Sequence, residues 1–88
     1  VGPIYGGRPE DADLLASCYR SSLRVADDLG AASVAFPAIS TGAFGYPVEE
    51  ADTVATGAVR DATTSVGEVR FVLFDARSLA AFEAALAT

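Results

Sequence analysis

The chain has no histidine, no lysine and no asparagine, and it has a single cysteine. Each absence removes a class of chemistry. Without His there is no Ser-His or Cys-His nucleophile pair and no His-ligated zinc within these 88 residues. With one Cys there is no internal disulfide and no multi-Cys metal site, and Cys18 reads as a small apolar residue on a helix. No metal, no cofactor and no catalytic residue is expected. The six cations are all Arg: Arg8, Arg20, Arg24, Arg60, Arg70 and Arg77, with no run among them. At a formal net charge of −6 the chain lacks the basic footprint of a nucleic-acid-duplex binder. It is equally unsuited to an anionic membrane surface. No apolar run approaches the ~18 residues of a spanning helix, and no signal-peptide pattern opens the chain. A cytoplasmic location is the expectation.

What remains is strongly apolar. Hydrophobic residues make up 51% of the chain, too many for disorder at this charge. Eighty-eight residues suggest one small domain or part of one, and such a chain buries roughly 60–65% of its unfolded surface. The pattern centres on Pro37-Ala38-Ile39-Ser40-Thr41-Gly42-Ala43-Phe44-Gly45-Tyr46-Pro47. An apolar run precedes it and a helical pattern follows. A strand, a turn rich in Gly, Ser and Thr, and a helix together suit a phosphate-binding loop, because turn amides converge on an anion. The two common nucleotide fingerprints, G-x-G-x-x-G and G-x-x-x-x-G-K-[ST], are absent.

Elsewhere the punctuation is regular. Residues 1–5 read as the end of a strand, with Pro3 suggesting an irregular or edge position. Pro9 suits a first helical position, with Glu10, Asp11 and Asp13 in the first turn. Leu14, Leu15, Cys18, Ser22, Leu23, Ala26 and Leu29 recur at helical steps, and Gly30 stops the helix. Arg20 and Arg24 are placed to offset Asp27 and Asp28. Residues 33–36 form a short strand expected to be central, covered on both faces. A helix from Pro47 buries Val48, Ala51, Val54, Ala55, Ala58, Val59 and Ala62, and its region ends at Gly67. Residues 69–74 alternate as a strand, with Val69, Phe71 and Leu73 on one face and Arg70, Val72 and Phe74 on the other. Asp75 or Ser78 caps a last helix with Leu79, Phe82 and Leu86 on its apolar edge. The order β, α, β, α, β, α predicts an α/β fold: a parallel-rich sheet between two helical layers. Ligands then sit at the strands' C-terminal ends, where the 37–46 loop and the 74–75 turn both fall.

Ile39-Ser40-Thr41-Gly42-Ala43-Phe44-Gly45-Tyr46-Pro47 resembles the second ligand loop of macrodomains, the ADP-ribose-binding family. Val1-Gly2-Pro3-Ile4-Tyr5 resembles the family's mid-chain strand, Leu15-Ala16-Ser17-Cys18-Tyr19-Arg20 its following helix, and Val72-Leu73-Phe74-Asp75 its last strand. The resemblance covers essentially all 88 residues, as the C-terminal half of a three-layer α/β/α macrodomain. With no methionine at Val1, the chain is expected to be a processed product or a piece of something longer, and the absent half favours the piece. The resemblance implies binding of ADP-ribose or an ADP-ribosylated protein. By matching position, the amides of Ser40, Thr41, Gly42, Ala43 and Phe44 face the diphosphate. Gly42 lies near the distal ribose, Phe44 packs on that sugar, Gly45 belongs to the same loop, and Tyr46 closes it toward the core. Phe74 and Asp75 line the adenine side.

Blander readings stand beside these. The loop is otherwise a plain connection, and Phe74 and Asp75 are otherwise a core aromatic and an N-cap. Glu49, Glu50 and Asp52 read as a solvated helix face rather than as general acids or bases. Ser40 and Thr41 have no neighbouring group to activate them as nucleophiles. In hydrolytic macrodomains, asparagine and acidic residues come from the first-half loop. Hydrolysis of O-acetyl-ADP-ribose or ADP-ribosyl-protein esters is therefore expected only of an intact domain. The alternatives are a non-catalytic reader module and an inactive fragment that self-associates through an exposed sheet edge.

Overall fold

The computed structural model describes residues 2–42 and 44–86. Three helices and two strands alternate: α1 (Pro9–Asp28), β1 (Ser33–Phe36), α2 (Val48–Asp61), β2 (Glu68–Phe71) and α3 (Ala76–Leu86). The strands are parallel and adjacent, with Ser33 opposite Glu68 and Phe36 opposite Phe71. The α/β class and the parallel sheet are those expected.

The first expected strand is not formed. Residues 2–5 pair with no strand among the described residues. Pro3 has no N–H to offer a ladder, and the Tyr5 N–H goes instead to the Phe44 carbonyl at 2.9 Å. Val1 lies outside the described residues.

The sheet is also covered on one face, not two. Val34, Phe36, Val69, Phe71 and Leu73 point toward α1, α2 and α3, while Ser33, Ala35, Glu68, Arg70, Val72 and Phe74 are exposed. The alternation expected for 69–74 therefore holds, but its second face meets no helix among the described residues. The core is an aromatic stack across the covered face. The Tyr19 ring lies 4.9 Å from Phe36 and 6.2 Å from Phe71, and Phe82 lies 4.9 Å from Phe71. Leu15, Leu23, Ala51 and Ala55 fill the space around it. Burial of each large apolar side chain contributes about 2 kcal/mol.

The buried stripe of α1 runs through Asp11, Leu15, Tyr19, Leu23 and Ala26. It is rotated from the expected one, because the Tyr19 ring faces the sheet. Leu14, Ser22 and Leu29 face solvent. The helix ends in a Schellman arrangement at Gly30 (φ +71°), with the Gly30 N–H on the Asp27 carbonyl and the Ala31 N–H on the Ala26 carbonyl. Asp27 does not answer the α1 arginines. Its Oδ1 accepts the Thr64 hydroxyl at 2.7 Å and the Ser65 N–H at 2.9 Å, pinning the connection before β2 onto α1.

Two carboxylates are buried: Asp11, expected as first-turn charge, and Asp52, expected on a solvated helix face. Asp11 Oδ2 accepts the Gly6 N–H at 2.8 Å and the Arg8 N–H at 3.1 Å, tying the chain entry to the first turn of α1. The Gly6 N–H and then the Arg8 N–H hold the Asp11 carboxyl below its ordinary value. Asp52 is 3% exposed. It lies beside Ala81, Ala84 and Ala85, small residues that let α3 close over it. Its Oδ1 is 3.1 Å from the Thr53 hydroxyl, which also reaches the Glu49 carbonyl at 3.0 Å.

Burial raises the Asp52 carboxyl above its ordinary 3.8. The folded chain therefore binds this proton more tightly than the unfolded chain. The stability it contributes is fully present below that ordinary value and is lost as pH rises through the raised one. Asp52→Ala is expected to stabilise the fold at pH 7 by about 1 kcal/mol, an advantage that disappears on acidification toward pH 4. Urea unfolding of both chains at the two pH values checks this.

Candidate functional site

Because β1 and β2 are parallel and in register, both chains leave the sheet at the same end. The β1 exit forms the 37–47 loop and the β2 exit forms the 72–75 turn. Between them lies a cleft of about 310 Å³, lined by Pro37, Ala38, Thr41, Gly42, Val48, Leu73, Phe74, Asp75 and Ser78. Such a crevice at strand C-terminal ends is where open α/β sheets bind ligands.

The loop is held from within and from α1. The Thr41 N–H and hydroxyl both reach the Ala38 carbonyl, at 3.3 and 2.9 Å. The Gly45 N–H binds the Gly42 carbonyl at 3.0 Å and the Tyr46 N–H binds the Ser40 carbonyl at 2.9 Å. These bonds close a small ring that needs left-handed backbone at Ser40 (φ +68°) and Gly45 (φ +76°). Glycine takes that conformation freely, whereas at Ser40 it costs on the order of 1 kcal/mol. The amides of Ser40, Gly42 and Phe44 have no acceptor among the described residues.

Tyr19 supplies the outside support. Its hydroxyl accepts the Ile39 N–H at 3.3 Å and lies 3.5 Å from the Pro37 carbonyl, to which it donates. One phenol thus fixes both sides of Ala38. Burial pushes its pKa up to about 12, so it stays a donor throughout the neutral range. Its sequence signal was present in the resembling helix, but nothing in the spacing linked it to the loop.

The predicted residues divide between two sides. Thr41, Gly42, Phe74 and Asp75 meet across the cleft. Tyr46 is buried behind the loop with its ring 4.9 Å from Tyr5, and burial raises its phenol. Phe44 is half-buried, and its carbonyl is held by Tyr5. The Ser40 hydroxyl turns toward Gly2, where a Cβ would come within 2.3 Å of it. Gly45 is exposed. Ala43 lies outside the described residues.

Phe74 is not a core aromatic. It is 90% exposed, because the strand it extends has no helix on that face. Asp75 does cap α3: its Oδ1 accepts the Ser78 N–H at 2.7 Å, which holds its carboxyl below the ordinary range. At Gly42 an added Cβ would meet nothing within 4 Å, so the cleft wall there is bare backbone.

The Macro domain family model matches residues 1–55, and the chain belongs to that family. A Macro domain-containing protein of Streptomyces coelicolor is 55% identical over 98% of this chain and 51% of its own length. A mutant macrodomain of Oceanobacillus iheyensis superposes with a TM-score of 0.91 at 37% identity, covering 99% of this chain and 48% of that one. The Trypanosoma brucei macrodomain in complex with ADP-ribose superposes at 0.84 with 31% identity, over 98% of this chain and 37% of that one. The chain spans about half the length of the curated relatives it matches.

Tyr19→Phe keeps the ring stack but leaves the Ile39 N–H and the Pro37 carbonyl unpaired. It is expected to cost about 1–2 kcal/mol of stability. It is also expected to speed hydrogen exchange at Ile39 beyond the global change, read by amide exchange.

Proposed function

We propose that this chain carries half of an ADP-ribose site: a loop that takes the diphosphate and distal ribose, and a strand end that takes the adenine. The observation that carries the reading is the cleft. It sets the bare backbone of Gly42 against an aromatic ring at Phe74, with amides nearby at Ser40, Gly42 and Phe44 that have no acceptor among the described residues. Neutral amides suit a diphosphate here, because Glu49 and Glu50 already occupy the first turn of α2. The complex of the T. brucei relative with ADP-ribose supports the choice of ligand.

Hydrolysis of O-acetyl-ADP-ribose or of ADP-ribosyl-protein esters is proposed for an intact domain, not for a residue of this chain. Reading of ADP-ribosylated proteins without catalysis uses the same loop. A second reading follows from the sheet. Both strand edges are unpaired among the described residues and one face lacks helices, which supports self-association. Light scattering at tens of micromolar tests it: dimers or larger species are expected, and a monodisperse monomer contradicts it.

Calorimetric titration of ADP-ribose at low salt tests the binding reading, with heat expected for the wild-type chain. Gly42→Glu is expected to abolish that heat without lowering the unfolding temperature, since its side chain enters open space. Equal binding by both chains contradicts the assignment of the loop.

A further inference from the structure

Every arginine can be placed. Arg8 pairs with Glu10 and Asp11 at the start of α1, and Arg70 pairs with Glu68 on the bare sheet face. Arg60 reaches the Leu86 carbonyl at the far end of α3. Arg20 and Arg24 border a groove with Asp27 and Ala62, away from the loop. Arg77 stands in the first turn of α3, two positions after Asp75. Its Nε and Nη2 lie 3.2 Å from Glu49 Oε1, and its Nη2 lies 3.2 Å from Glu49 Oε2.

This pair bridges the first turns of α2 and α3, the helices that follow the two walls of the cleft. Val48 and Ser78, the neighbours of Glu49 and Arg77, line the cleft itself. Arg77 is the cation beside both Glu49 and Asp75. Both partners are largely exposed, so the bridge contributes little to stability and is free to exchange. A guanidinium presents the same planar fork to a carboxylate and to a phosphate.

We infer that Arg77 is the charge-bearing positioning residue of the cleft and that Glu49 is its built-in competitor. A phosphate entering between Gly42 and Asp75 takes over N–H donors that Glu49 holds in the free chain. The inference rests on the binding reading above and adds its electrostatic control. A purely structural bridge would make loss of either partner harmful. A competing bridge gives opposite signs.

The test is titration of ADP-ribose into the wild-type chain, Arg77→Gln, Glu49→Gln and the double variant, at low and high salt. Arg77→Gln is expected to weaken binding about fivefold and Glu49→Gln to tighten it about threefold, with the double variant no tighter than Arg77→Gln, since Glu49 competes only through Arg77. The differences are expected to shrink at high salt. Adenosine, which carries no phosphate, is expected to be insensitive to either change. Weaker binding by both single variants overturns the inference and leaves the binding reading standing. So does unchanged affinity and salt dependence in Arg77→Gln. Absence of binding by the wild-type chain overturns the reading and the inference together.

Discussion

The hydroxyl of Tyr19 is the contact on which the site depends. Its ring belongs to the core, stacked against Phe36 and Phe71 at 1% exposure. Its oxygen belongs to the loop, between Pro37 and Ile39. The geometry of the 37–46 segment is thereby set by the packing of α1 on the sheet. A loop with two left-handed residues, Ser40 and Gly45, is expensive to hold open in one shape, and the core supplies that order before any ligand arrives. The parallel register of β1 and β2 then brings the 72–75 turn alongside, so that one small aromatic core fixes both walls of the cleft.

The bare sheet face has the same origin. Three helices crowd one side, and the other presents Ser33, Ala35, Glu68, Arg70, Val72 and Phe74. Phe74, in the turn beyond β2, is exposed and stands at the cleft. The chain spans about half the length of the curated relatives it matches.

Much of this was legible in the residues. The strand read over 69–74, which forms over Glu68–Phe71, announced itself by strict alternation, the stop of α1 by Gly30, and the loop by its glycines and its resemblance to macrodomains. The misses have physical reasons. A strand exists only by pairing, and nothing local to Gly2–Tyr5 says whether a partner is present. Asp11 looked like first-turn charge, although its spacing to Leu15, Tyr19 and Leu23 put it on the buried line. Asp52 looked solvated because the small residues that admit it, Ala81, Ala84 and Ala85, are distant in sequence. On α1 the Tyr19 ring sets the facing, which the three- and four-residue spacing of the leucines does not reveal.

The most direct test of the central claim is two-dimensional amide NMR of the chain during titration with ADP-ribose. The account predicts shifts concentrated at Ser40, Gly42, Phe44, Phe74 and Asp75, with the far ends of α1 and α3 unmoved. Shifts spread evenly over the chain, or confined to residues away from the 37–46 loop and the 72–75 turn, would contradict it.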